Sequence, residues 1–252
     1  MDMQQPFSYA HVAMIVGDQG SGKSNTGTAR IVEDALDNIV AVKRLSDGAE
    51  FKAESLTKEE RINLLEKGYK PTFDTVKLYL PDGKIHIAPV PPNHVIIPSI
   101  NIFTNFHLYG IRYTYCPTWA TIIQWLEAGI ICDGRLTIDE YHIGGNARDF
   151  MSSLGKALSK YSFTYRKRHL NVDILCVHKR LADWTMRLVV TENIMCSYDE
   201  KTRVITYTQK GRGQTKAQEH SYYAPYYWKN FKTDELFKLT ESQVGGAVSM
   251  GR

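Results

Sequence analysis

The chain has 252 residues, of which 43% are hydrophobic and 23% charged, and its formal net charge is +4. That is ample for a packed core without staples, and the ordinary balance excludes a disordered or fibrous chain. Four widely spaced cysteines with no C-x-x-C pair exclude a zinc ribbon and a secreted disulfide scaffold, and the mild basicity alone assigns no polyanionic partner.

Cys116, Cys132, Cys176 and Cys196 read as reduced thiols of a cytoplasmic protein. The stretch "MDMQQPFSYAHVAMIVG" has no basic region ahead of its short apolar run, and no apolar stretch reaches the length of a bilayer-spanning helix. Neither a signal peptide nor a membrane span is expected.

Apolar runs alternate with helical periods from end to end, which predicts an α/β fold with a central, mostly parallel sheet flanked by helices. Residues 11–17 read as a buried strand ending in Gly, 23–36 as a helix started by the preceding loop, and 38–44 as the next strand. Residues 57–68 carry a capping box from Thr57 to Glu60 and a closing Gly68, so a helix is expected. Two alternating runs joined by Pro-Asp-Gly make 75–90 a hairpin inserted on a parallel sheet. Residues 99–105 read as a strand, 118–129 as a helix, 134–140 as a strand ending in two acids, and 148–168 as a helix with a basic far end. A buried strand at 171–178, a short helix at 180–190, a hairpin at 192–209 and an extended aromatic segment at 221–231 follow. The expected organisation is an ATPase-like domain over 1–198 and a C-terminal extension over 199–252 packed on it. The first loop stands near residue 1, which leads to the expectation that no substantial domain precedes it.

That loop is the most specific signal. Gly17-Asp18-Gln19-Gly20-Ser21-Gly22-Lys23-Ser24 fits G-x-x-x-x-G-K-S/T at every fixed position, between a strand and a helix, with Asn25 next in line. Glycines let backbone N–H groups curl round an anion, and the helix N-terminus adds its partial positive charge. Lys23 is placed for the β- and γ-phosphates of ATP, and Ser24 for Mg2+. A phosphate loop needs a carboxylate at a neighbouring strand end. "RLTIDEYH" supplies Asp139 for Mg2+ and Glu140 as the base that orients the attacking water. Alone, such a pair reads equally as a helix cap. Asp173, at the start of its apolar run, ranks behind it.

Residues 148–187 are strongly basic, holding Arg148, Lys156, Lys160, Arg166, Lys167, Arg168, Lys179, Arg180 and Arg187. Such a cluster reads as a nucleic-acid track, a source of arginine fingers, or a solvated face. The basic stretch 208–220 reads as a flexible loop able to contact DNA.

Taken in order, "GDQGSGKS", "IFTNFHLYGIRY", "RLTIDEYHIGGNARDF" and "YRKRHLNVDILCVHKRLADWTMRLVV" resemble the additional-strand P-loop ATPases of the FtsK–HerA group, in particular the Zot-like and viral DNA-packaging branch. The resemblance covers roughly residues 10–195. It implies an ATPase assembled as a ring, commonly a hexamer, that moves duplex DNA through backbone contacts, with a capsid or portal protein as a further partner. It implies a polar sensor at His178, where the family usually carries an amide, and a basic residue from the neighbouring subunit, for which Arg187 and Arg168 rank first. The activity implied is viral genome packaging. The alternatives are a Zot-like phage assembly ATPase acting on single-stranded DNA, a small-molecule kinase and a non-catalytic nucleotide-binding scaffold. The adjacent acids weigh against the kinase.

Overall fold

An apolar pentapeptide, Val12–Val16 (β1), is buried almost throughout and ends where Gly17 turns the chain. The computed structural model describes residues 11–141, 164–182, 184–228 and 230–231. After β1 come helix Lys23–Asp37 (α1) and strands Ile39–Arg44 (β2) and Glu50–Ser55 (β3). Helix Lys58–Glu66 (α2) and strands Thr75–Tyr79 (β4), Ile85–Pro89 (β5), His94–Pro98 (β6), Asn101–Thr104 (β7) and Thr114–Tyr115 (β8) follow. Next are helix Trp119–Glu127 (α3), strands Gly134–Ile138 (β9) and Leu170–Cys176 (β10), and helix Trp184–Val189 (α4). Strands Glu192–Asp199 (β11), Val204–Gly211 (β12) and Gln218–Tyr223 (β13) and the single turn Pro225–Trp228 (α5) complete the described chain.

The central sheet has eight strands in the order β13-β12-β11-β1-β10-β9-β7-β8. From β11 to β8 every pairing is parallel, while β12 and β13 run antiparallel. Parallel strands are covered on both faces, and β9 is buried at all five positions, Arg135 and Thr137 included. One apolar layer joins Val12, Met14, Leu136, Val172 and Ile174 of the sheet to Ile122 and Leu126 of α3 and Met186 of α4. α1 lies on the opposite face, and its Ala29, Ile31, Val32, Ala35 and Leu36 pack with Ile102 of β7 and with Ile39, Val42, Ala53 and Ile96 of β2, β3 and β6. There Gly27 comes so close that a Cβ would stand 3.0 Å from Leu175 Cδ2.

A second sheet was not foreseen. The segment read as the next strand after α1 belongs to an antiparallel sheet of order β5-β4-β3-β2-β6, as does the hairpin read as an insertion. β2 buries Ile39 and Val42 but leaves Val40 and Lys43 exposed, with a register shift between Ile39 and Ala41, so it is only partly covered, whereas a strand of the central sheet is covered on both sides. β3 and β6 had no reading from sequence. The strand expected at 99–105 is the four-residue β7, with β6 just before it.

The capping box of α2 is present, with Thr57 accepting from the Glu60 amide and Glu60 accepting from that of Thr57. α3 begins at Thr118, whose hydroxyl accepts from the Thr121 amide. Residues 180–190 are a 3-10 turn at Lys179–Leu181 followed by α4. Most of the helix expected at 148–168, with Arg148, Lys156 and Lys160, lies outside the described residues; its described end, Arg166–Arg168, is a 3-10 turn. The loop expected at 208–220 is instead the end of β12, a turn and the start of β13, with Gln209 paired to Gln218.

A buried ionic network fastens α1 to the sheet. Arg135 of β9 donates to Asp34 of α1 at 2.6 Å and also to Asp173 of β10. Arg30 of α1 donates to the same Asp173 at 3.1 Å and pairs with Glu192 of β11 at 3.0 Å. Burial pushes Asp173 up, but Arg135 and Arg30 outweigh it and hold the carboxyl below its ordinary range. Asp173 is thereby committed to the fold. Burial pushes the Cys116 and Cys176 thiols up to about 12, so both stay protonated and inert.

Candidate nucleotide site

The loop after β1, Asp139 after β9 and His178 after β10 all emerge at the C-terminal end of the parallel strands, where open α/β sheets bind ligands. β10 separates the loop strand from the acid strand. That intervening strand is the additional one of the P-loop fold type read from the sequence.

The loop is preorganised by its own backbone. Lys23 Nζ donates to the carbonyl oxygens of Gly17 at 2.9 Å and Asp18 at 2.8 Å. The Ser21 amide closes a turn onto Asp18 O at 3.1 Å. Gly22 stands at φ +87° and precedes α1 without a side-chain cap. A Cβ there would be strained and would meet Ile205 Cδ1 at 2.6 Å, while one on Gly17 would meet Ser21 Oγ at 2.3 Å. The first bond of α1 runs from the Thr26 amide to Gly22 O at 2.8 Å, so the amides of Lys23, Ser24 and Asn25 precede the helix ladder. Ser21 Oγ is buried without a hydrogen-bond partner. Free amides at a helix start, an orphaned hydroxyl and a buried lysine on one loop are the donor set of a phosphate cradle. Asp18, Gln19 and Gly20 are exposed at its tip.

Ser24 Oγ donates to Asp139 Oδ2 at 2.6 Å, joining the two halves of the site. Asp139 is buried, and burial pushes its carboxyl up, against the Ser24 hydroxyl that favours its charge. Its backbone is clamped by a residue to which sequence reasoning gave no role. Asn105, directly after β7, donates from Nδ2 to Asp139 O at 3.0 Å and accepts from the Asp139 amide at 2.8 Å. Its signal was the Asn that follows Thr104 at the end of an apolar strand. Glu140 sits at φ +53°, a conformation costly for a residue with a side chain, and its amide donates to Asp139 Oδ1 at 2.7 Å. The clamp and the strained turn together re-aim Glu140 relative to Asp139.

Ser24 and Asp139 supply hard oxygen ligands suited to Mg2+. Among the described residues no three His, Cys, Asp or Glu side chains converge on a metal position. Mg2+ held by one hydroxyl, one carboxylate and substrate phosphates needs no such cage, so the residues fit the ion.

The remaining residues singled out from sequence are placed as follows. The Asn25 side chain is turned to the C-terminal strands, donating to Ala224 O at 3.1 Å and accepting from Tyr222 OH at 2.9 Å. Only its amide remains for a phosphate. His178 is exposed past β10, and its Nδ1 accepts from the Arg180 amide at 3.1 Å. That bond leaves Nε2 as the protonated nitrogen in the neutral ring. Lys179 and Arg180 emerge beside it at the loop's end of the sheet. Arg168 precedes β10 and so lies at the opposite end, roughly 20 Å away along a seven-residue strand. Arg187, on α4, lies over the exposed ring of Trp184 at 5.7 Å. Neither is brought to the loop of its own chain.

No family model matches the chain, and no curated protein matches it. Among solved structures it is similar to the N-terminal domain of zonular occludens toxin from Neisseria meningitidis, at TM-score 0.53 and 13% identity, covering 89% of this chain and all of that one. It is more distantly similar to B204, the DNA-packaging ATPase of Sulfolobus turreted icosahedral virus, at TM-score 0.44 and 9% identity over 86% of this chain and 98% of that one. The RadB recombinase is similar at TM-score 0.42 and 10% identity, over 84% of this chain and 87% of that one. At these identities the likeness is one of fold. The fold is that of a P-loop NTPase with a mostly parallel sheet flanked by helices, in keeping with the resemblance to the Zot-like branch.

Proposed function

We propose that this protein hydrolyses ATP and uses the energy to move DNA, in the setting of viral genome packaging. The observation that carries the hydrolytic part is the bridged pair of half-sites. Ser24 of the loop bonds Asp139, and Glu140 follows it on a strained turn across one intervening strand.

The chemistry follows from the residues. The amides that open α1 and Lys23 hold the phosphates and oppose the charge that builds on them during transfer. Ser24 and Asp139 are the residues that would hold Mg2+, which when bound would supply electrostatic stabilisation of that charge. Glu140 orients a water and takes its proton. His178 Nε2 is a donor at the same end of the sheet, which supports the sensor reading. Arg168 and Arg187 lie away from their own loop, so an arginine finger from either comes only from a neighbouring copy. Such a finger would require a homo-oligomer, which is the ring the resemblance implies. DNA as the load, the ring and a capsid or portal partner are supported by the resemblance in "RLTIDEYHIGGNARDF" and "YRKRHLNVDILCVHKRLADWTMRLVV".

The test is ATP hydrolysis by wild type and Glu140→Gln, each with no DNA, with duplex and with single-stranded DNA. Expected are duplex-stimulated turnover in the wild type and a loss of about 100-fold or more in kcat for the variant, with ATP still bound. Stimulation by single strands alone selects the phage-assembly reading. No hydrolysis by wild type under any of these conditions refutes the motor.

A further inference from the structure

Two basic segments far apart in sequence meet at one end of the central sheet. Lys167 and Arg168 stand in the turn that leads into β10. Lys210 and Arg212 stand where β12 ends, and Lys216 in the turn to β13. The register fixes their common location. Gly211 pairs with Glu192 at the start of β11, Glu192 with Ala13 at the start of β1, and Ala13 with Asp173 midway along β10, whose own start reaches further out on the same side of the sheet. The Arg212 amide donates to Thr191 O at 2.7 Å, and its Nη1 to Leu188 O at 3.1 Å, so this arginine is anchored on the same rim. Lys167, Lys210, Arg212 and Lys216 are exposed, and Arg168 is half-buried beside a hollow lined by Gly129, Cys132 and His169. Of the acids alongside, Asp133 is occupied by His169 at 3.0 Å.

We propose that this rim, at the N-terminal end of the parallel strands and away from the phosphate loop, is where the chain grips the phosphodiester backbone of DNA. The proposal rests on the reading of the protein as a DNA-moving ATPase, and adds where the load is held. β12 and β10 are three strand spacings apart, about 14 Å. A duplex presents on the order of eight phosphates over that length, of which one face meets the rim. Cations set at two strand ends along one rim present positive charge at a defined spacing to a linear polyanion. Lysines and arginines facing phosphates read no bases, so the grip is independent of sequence, as a translocating motor requires. Nucleotide and load then occupy opposite ends of the same strands. A shift of β1 or β10 caused by ATP turnover reaches the rim through the strands themselves.

The experiment uses the full chain and the triple variant Lys167→Gln, Lys210→Gln, Lys216→Gln. None of the three lysines belongs to the nucleotide site. Binding to a fluorescent duplex of about 30 base pairs, and to a single strand of about the same length, is followed by anisotropy between about 50 and 200 mM salt. In the variant the slope of log affinity against log salt becomes shallower by about 0.9 per lost phosphate contact for duplex and about 0.7 for single strand, or by about 2–3 in all. ATP affinity stays at the wild-type value, and the matching Lys→Arg triple variant keeps DNA binding. If the wild type binds DNA and the glutamine variant binds it with the same slope, the rim is wrong while the motor reading stands. If the wild type binds neither DNA at low salt, both fail together. Lysine-dependent binding to anionic phosphatidylserine vesicles without DNA binding assigns the rim to a membrane and overturns the proposal.

Discussion

Replacing Asn105 by Ala removes a clamp on the backbone of Asp139. Two hydrogen bonds are lost, at 3.0 and 2.8 Å, and the Asp139 amide and carbonyl lose their partners. Each such bond contributes about 1 kcal/mol net, and more where the partner left behind stays buried. Asn105 is half-buried, so water recovers part, and about 2 kcal/mol is expected. For a chain of this size that lowers Tm by about 4–8 °C. The larger effect falls on turnover. Without the clamp, the turn carrying Glu140 at φ +53° relaxes and its carboxylate drifts, and a displacement of about 1 Å costs on the order of 100-fold in rate. The loop is untouched, so ATP affinity by titration calorimetry stays within about twofold of wild type. Steady-state hydrolysis therefore shows kcat falling by about 10–100-fold with no matching loss of ATP binding. Wild-type kcat in the variant, or kcat and affinity falling in step, refutes a positioning role for Asn105.

Asp173→Asn breaks the network that binds α1 to β9 and β10, leaving Arg135 and Arg30 with an uncompensated charge, at a cost of about 3–5 kcal/mol. The folded carboxyl of Asp173 is depressed, so its contribution is present above the ordinary value of about 3.9 and is lost as pH falls through the folded value. Melts across that acid range therefore show the wild type losing more stability than Asp173→Asn, and equal losses argue against the network. Gly22→Ala places a side chain at φ +87° against Ile205, costing about 1–2 kcal/mol in backbone strain alone. A drop in Tm together with at least about tenfold weaker ATP binding is expected, since the loop must distort. Asn25→Ala severs the ties to Ala224 and Tyr222. It lowers Tm by a few degrees, about 2 kcal/mol, and leaves ATP affinity unchanged, which calorimetry checks.

The loop and the acid pair were legible because their chemistry forces residue types into fixed spacings or onto a strand end. Lys23 and Ser24 must follow Gly22, and Asp139-Glu140 stands out after Leu136 and Ile138. The second sheet was not legible, because β2 resembles any short apolar strand and β3, "EFKAES", reads as a charged loop until α1 covers one side of it. The network of Asp34, Arg135 and Asp173 escaped notice for another reason. Its bonded members are 101 and 38 positions apart, Asp34 and Arg135 each alone resemble a surface charge, and Asp173 was read only as a second candidate for the metal acid. Asn25 stood beside the loop and was read as part of it, whereas its side chain belongs to the packing of residues nearly 200 positions later.

That last feature bears on how the protein is made. The phosphate loop is translated early, yet its walls come late. Ile205 covers Gly22, Cys196 O backs Gly17, and Tyr222 and Ala224 hold Asn25. β1 itself has no sheet neighbour until residues 170–176 and 192–199 have been made. At about 5–20 residues per second, the ribosome takes on the order of ten seconds or more to cover that distance. For that interval the nascent chain carries the complete nucleotide-binding signature and no nucleotide-binding site. A polypeptide released before residues 170–199 have been made leaves β1 without its sheet and is expected to be inert toward ATP, so such partial products of synthesis would not turn over ATP.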